Sequence, residues 1–283
     1  MVDVLPIGDG STTPRIAWDS VLAIADLSSA SAVEADGVPE QCTDWLPWTF
    51  WRPIGSGPHS IEATLDGMQI ITGWAVAGHD ATGLVGMDTW DGAAWVLHSE
   101  AVSPGHGSVI YLTGAAVATT RLRFRFAGIS FLAILWAGQD LVLPDGIGPG
   151  WTDPLLALRA TVNPEISRGG IWLGTAVEQW SASLSLEVRH VEAAWARDHW
   201  LPFLRRCSTQ PFLLHWNHVD WPSSACFCTA AEFGSAAFSG NGLVDLSVSF
   251  MADPGSDRRI APIADEPALL LEDAEGALLL EEG

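Results

Sequence analysis

Four side chains in the last third of the chain carry the chemistry of a metal site. His215 and His218 offer imidazole nitrogens and Cys226 and Cys228 offer thiolates, a donor set that zinc takes in a tetrahedron. Their spacing argues against it. Cys-x-Cys on a strand points both thiols to one face without the flexible knuckle of Cys-x-x-Cys, and His-x-x-His here crosses an expected turn. Buried thiols, loop histidines and no cofactor form the default reading, with a zinc ion or an iron–sulfur cluster the alternative that these four residues leave open. Carboxylates for glycoside cleavage are available at Asp88, Asp91, Glu100, Glu187 and Asp245, but in a chain with 34 Asp and Glu any such pair carries little weight. No Gly-x-Ser-x-Gly elbow lies between a strand and a helix. A phosphate-cradling Gly-Lys-Ser or Gly-Lys-Thr loop is excluded, because the chain contains no lysine. The expectation is of a binding and structural protein and not an enzyme.

Contact residues are easier to find than catalytic ones. Trp45, Trp48 and Trp51 crowd one loop and would suit sugar stacking or an interface anchor, Trp45 and Trp48 as the surface pair and Trp51 as a plug of the core. Near the C-terminus, Leu269, Leu270 and Leu271 recur nine residues later as Leu278, Leu279 and Leu280. A repeat this short cannot bury itself, so it would pack on a partner or fold back on its own domain.

The elements that must hold these residues are short strands. Apolar runs at Met68–Val76, Leu84–Thr89, Ala94–His98, Ser108–Leu112, Arg121–Phe126 and Phe131–Trp136 are separated by Gly, Asp and Pro, the spacing of a sandwich or jelly roll. Asp91-Gly92 marks a hairpin. Glycines and prolines between Pro144 and Pro154 mark a boundary. Beyond it come strands at Ala157–Val162 and Gln179–Val188, a helix over Val191–Arg205, and strands at Pro211–Trp216, Cys226–Ala230 and Leu243–Met251. In the last of these, Val244, Leu246, Val248 and Phe250 alternate with polar residues, so one face is buried. The expected fold is mainly β, a jelly-roll β-sandwich over residues 1–148, a second β domain with one helix over 149–254, and a C-terminal tail over 255–283.

With 13 basic residues, all arginine, the formal charge of −21 disfavours nucleic acid and anionic lipid. Arg121, Arg123 and Arg125 alternate as the polar face of one strand. No run approaches the roughly 20 apolar residues of a membrane span. The start of the chain lacks the pattern of a secretion signal, so synthesis in the cytosol is expected, where the four cysteines would stay reduced.

Thr49-Phe50-Trp51-Arg52-Pro53, Ser60-Ile-Glu-Ala-Thr-Leu-Asp66 and Trp90-Asp-Gly-Ala-Ala-Trp95 resemble motifs of galactose-binding-like, discoidin-type jelly rolls, a likeness covering roughly Ser20 to Leu143. Arg168-Gly-Gly-Ile-Trp-Leu-Gly174, Trp195 to Phe203, Thr209-Gln-Pro-Phe-Leu213 and Gly242 to Met251 are similar to the tail-tube-like domain of distal-tail-type minor tail proteins of long-tailed bacteriophages. That second resemblance implies a virion tail-tip component, assembled in the bacterial cytoplasm as a trimeric or hexameric ring under the tail tube. Its implied partners are copies of itself, the tail tube protein, hub and fibre proteins, and host-surface glycans reached by the jelly roll. It brings no catalytic residues. A carbohydrate-binding module gripping host glycans is the alternative.

Overall fold

The computed structural model describes residues 13–253 apart from 56, 104, 106, 145, 146, 148–150, 158, 167, 169–171, 222, 223 and 235. Both leucine triplets lie outside the described residues. Among the described residues, fourteen strands fall into two antiparallel sheets in a sandwich-like arrangement, so the chain is mainly β as expected. None of the described helices is long and apolar enough to cross a membrane.

The first sheet contains β2 (Asp26–Ser29), β3 (His59–His79), β4 (Leu84–Trp90), β5 (Trp95–Val102), β6 (Ile110–Phe126) and β7 (Leu132–Gly138), in the order β2-β3-β6-β4-β5 with β7 also on β3. Two of these strands are longer than their apolar runs. β3 carries Gly67 at φ 80°, and its register against β6 shifts between Thr64 and Gln69, so the strand turns a corner without ending. β6 takes in most of Ser108–Leu112, from Ile110 on, and all of Arg121–Phe126. The core of this unit packs Trp51, Trp74, Phe124 and Phe126 among Ile61, Met87 and Leu122. The Asp91-Gly92 turn is present: Gly92 sits at φ 103° and Asp91 Oδ1 accepts from the N–H groups of Ala93 (2.8 Å) and Ala94 (2.7 Å).

The second sheet takes its strands from both ends of the described chain. Its order is β8-β1-β11-β12-β14-β10-β9, from β1 (Arg15–Ala17), β8 (Leu141–Val142), β9 (Arg159–Ile166), β10 (Trp172–Glu192), β11 (Phe212–His215), β12 (Ala225–Phe233) and β14 (Leu243–Asp253), with β13 (Ala237–Gly240) on β14. Two strands of the segment 1–148 thus belong to the second sheet, and the chain leaves the first sheet before the Gly/Pro boundary. β14 alternates as its sequence requires, with Val244, Leu246, Val248, Phe250 and Ala252 buried.

Between β10 and β11 a helix runs over residues 193–207. Val191, expected in it, is the buried end of β10 instead. Pro202 has no N–H for the carbonyl four residues back. Just before it the helix widens into a π turn, Ala196–Trp200, in which the Leu201 N–H reaches back to the Ala196 carbonyl.

Alternation along the central strands gives the second sheet two unlike faces. Phe212, Leu214, Cys226, Cys228, Val248 and Phe250 meet Trp200 and Phe203 of the helix. Rings there run from Trp200 to Phe203 (5.0 Å between centroids), Phe212 (5.3 Å) and Phe250 (5.5 Å). Each buried aromatic stabilises by roughly 1.5–3 kcal/mol. Ala17, Leu213 and Ala225, on the other face, meet Tyr111, Ile134 and Trp136 of the first unit and join the two units through one shared core.

Candidate functional site

The His and Cys residues do not assemble into a metal site. β11 and β12 pair Leu214 with Cys226 and Phe212 with Cys228, while His215 is opposite Ala225. Paired residues share a face, so both thiols lie on the helix side and His215 on the side of the first unit. Cys226 Sγ and Cys228 Sγ are 3.4 Å apart in a fully buried pair, and burial pushes the Cys228 thiol well above its ordinary range. His215 stacks near His218 at 5.9 Å, and its Nε2–H donates to the Trp221 carbonyl (3.2 Å). Burial drives its pKa down to about 4, and the charges of His218 and Arg15 push the same way. Among the described residues no group of three or more His, Cys, Asp or Glu could hold a metal ion.

Each candidate carboxylate has a structural task. Asp88 accepts from Arg123 (2.7 Å) and Arg125 (3.0 Å), Arg125 also reaches Glu100 (3.4 Å), and Arg121 pairs with Glu62 (3.1 Å). Trp95 stacks under Arg121 (5.0 Å) and Arg123 (4.7 Å), so the three arginines form the expected polar face of β6. Asp91 caps its turn, Glu187 pairs with Arg189 (2.8 Å), and Asp245 accepts from the His190 N–H (2.8 Å).

The three loop tryptophans separate. Trp51 is fully buried, bridged by backbone hydrogen bonds to Leu132 and packed on Phe126. Trp45, expected on the surface, is buried instead. It holds the left-handed backbone region at φ 64°, uncommon for a bulky residue, and wedges into the core shared by the two units. Asp44 fixes the loop by accepting from the Leu46 N–H (2.8 Å) and the Thr49 hydroxyl (2.8 Å). Trp48 alone stays outside, 67% exposed.

Trp48 stands on a groove of about 630 Å³ between the units, whose far wall is the polar turn Ser208, Thr209 and Gln210 with Pro211. Arg206 lines this groove and also a second cleft of about 820 Å³, where Trp18, Asp19, Trp195 and Asp198 come together. The Arg206 Nε–H donates to Gln210 Oε1 (2.8 Å), and Gln210 Nε2 donates to the Trp18 carbonyl (2.8 Å). Trp18 and Arg206 escape notice in the sequence, where Trp195 enters only within the expected helix and the segment Trp195 to Phe203. No local signal announces that distant segments converge on Arg206.

No protein-family profile matches the chain, and no curated protein matches it. Among solved structures it is similar over part of its length to a family 32 carbohydrate-binding module of Clostridium perfringens NanJ in complex with galactose, at 13% identity and a TM-score of 0.39, covering 43% of this chain and 98% of that one. A chitosan-binding module from a Paenibacillus sp. IK-5 chitosanase/glucanase matches at 13% identity and 0.38, covering 43% and 99%. The SpGH29 crystal structure matches at 16% and 0.39, covering 44% of this chain and 28% of that one, so the chain spans little more than a quarter of it. These scores all lie below 0.5.

Proposed function

We propose that the chain is a non-catalytic binding protein that holds a carbohydrate in the groove under Trp48. One observation carries this reading: a loop locked by the buried, left-handed Trp45 holds an exposed indole over a groove whose far wall is the polar turn of Ser208, Thr209 and Gln210. An indole face stacks on the C–H face of a sugar ring, and Ser208 and Thr209, whose hydroxyls donate to the Arg205 and Arg206 carbonyls, keep oxygen lone pairs that accept from its hydroxyls. Pre-organisation of the loop reduces the entropy lost on binding. Calorimetric titration against a glycan panel tests it. Trp48→Ala is expected to lower affinity at least about tenfold, the effect of losing a central aromatic contact. Unchanged affinity in the variant, or no glycan bound at all, overturns it.

A second reading, assembly into a bacteriophage tail tip as a trimeric or hexameric ring, draws support from a different observation. The first half of β10 pairs with β9 and the second half with β14, so residues 159–166 and 172–181 form a two-stranded ribbon that, among the described residues, pairs only with itself. An isolated ribbon is marginally stable in water, and a neighbouring copy or tube subunit would cover it. In that role the jelly roll would face fibres or host glycans and the leucine triplets would contact a partner. Native mass measurement decides: rings, alone or with tail-tube subunits, support assembly, and a monomer that ignores the tube sinks it.

A further inference from the structure

The larger cleft, on the other side of Arg206, differs from the Trp48 groove in charge. Its walls are the corner of β3 at Met68–Ile70, the turn at Val21–Ile24 and the helix at Trp195, Asp198 and His199. Two half-buried indoles are fixed in it: Trp18 packs edge-on against Phe203 (6.2 Å) with its carbonyl tied to Gln210, and Trp195 lies 5.5 Å from the His199 ring. Asp19 and Asp198 stand exposed beside them, and neither makes an ion pair among the described residues. Asp140, also in the cleft, is neutralised by Arg15 (2.8 Å). Two unpaired carboxylates therefore face one guanidinium, in a chain whose formal charge is −21. Exposed Ile24, Met68 and Ile70 add an apolar rim.

Resting on the reading of the chain as a glycan binder, we propose that this cleft takes an amine-bearing saccharide, with an indole against the ring face and Asp19 or Asp198 on the ammonium group. Indoles attract both C–H faces and cations. The field of the whole chain draws in a polycation and repels uronic or sulfated glycans. A single chain of several sugars could run past Arg206 from one groove to the other, which makes the preference dependent on chain length.

The test titrates the full chain with a glucosamine tetramer and its N-acetylated counterpart, at low and high salt. The amine form is expected to bind about 3–10-fold tighter at low salt, the effect of one or two exposed ion pairs. That preference should vanish at high salt and in the surface double variant Asp19→Asn/Asp198→Asn, whose melting confirms its fold. Equal affinity for the two tetramers, or a preference that survives the double variant, overturns the proposal. If both tetramers bind equally and Trp48→Ala weakens both, the Trp48 reading stands and only this one falls. Binding of neither tetramer overturns this proposal and leaves the Trp48 reading to the wider glycan panel, and capture of an oligolysine peptide in their place overturns the saccharide class.

Discussion

The two faces of the second sheet bury comparable strands in unlike ways. Toward the helix the contacts are apolar, a run of aromatic rings over two thiols that hydrogen-bond to each other. Toward the first unit the same strands present Arg15 and His215, and Tyr111 comes to meet them, its ring 5.6 Å from His215. Here Arg15 pairs with Asp140 at 2.8 Å, and Thr72 also donates to Asp140. The Tyr111 hydroxyl and His215 Nδ1 have no hydrogen-bond partner among the described residues, and burial raises the Tyr111 hydroxyl well above its usual range. A buried ion pair adds little net stability because desolvation opposes its attraction, whereas breaking it leaves a bare charge. The helix side thus holds the fold, and the inter-unit side makes it conditional on protonation.

That contrast can be broken first on the apolar side. Phe212→Ala is expected to lower stability by about 3–5 kcal/mol, read from urea unfolding, since it opens a cavity in the middle of the ring stack. A cost near zero would mean the helix is not packed on the sheet. Asp140→Asn should cost about 3–5 kcal/mol by removing the carboxylate that pairs with the buried Arg15 guanidinium, while the double change Arg15→Met/Asp140→Leu should recover most of it. If the double variant is no better than the single one, the pair contributes more than mutual neutralisation.

The smallest effect is in pH. His215 has its pKa held near 4 in the folded chain against an ordinary 6.5, so above pH 6.5 it is neutral folded or unfolded and contributes nothing. Below 6.5 the unfolded chain takes up a proton that the folded one refuses. Stability then falls at about 1.4 kcal/mol per pH unit down to about pH 4, or about 2 kcal/mol between pH 6.5 and 5. His215→Leu should remove that share of the slope. Urea midpoints at pH 7 and pH 5 for both chains measure the difference, and parallel losses would show that other groups carry it.

Periodicity made some elements legible and left others hidden. β14 shows five alternating buried residues, and the reading of its face holds residue for residue. β1 has three residues and no period to see. Gly67 splits β3 on paper, although in space it is a corner within one strand. The two thiols of Cys226 and Cys228 read correctly as sharing a face. Their separation from His215 follows from the register of β11 on β12, which nothing local fixes across the long loop between them. Trp45 and Trp48 are equal as residue types; a left-handed backbone at one of them decides which is buried.

The position of β1 between β8 and β11 has a mechanical consequence. The first unit leaves the second sheet through one strand and returns through its neighbour, so it is anchored at both ends to adjacent positions of the same sheet. A load applied to the first unit would reach the second sheet as shear along two hydrogen-bonded strand pairs, and not as a peel at one tether. The two units would then move as one lever.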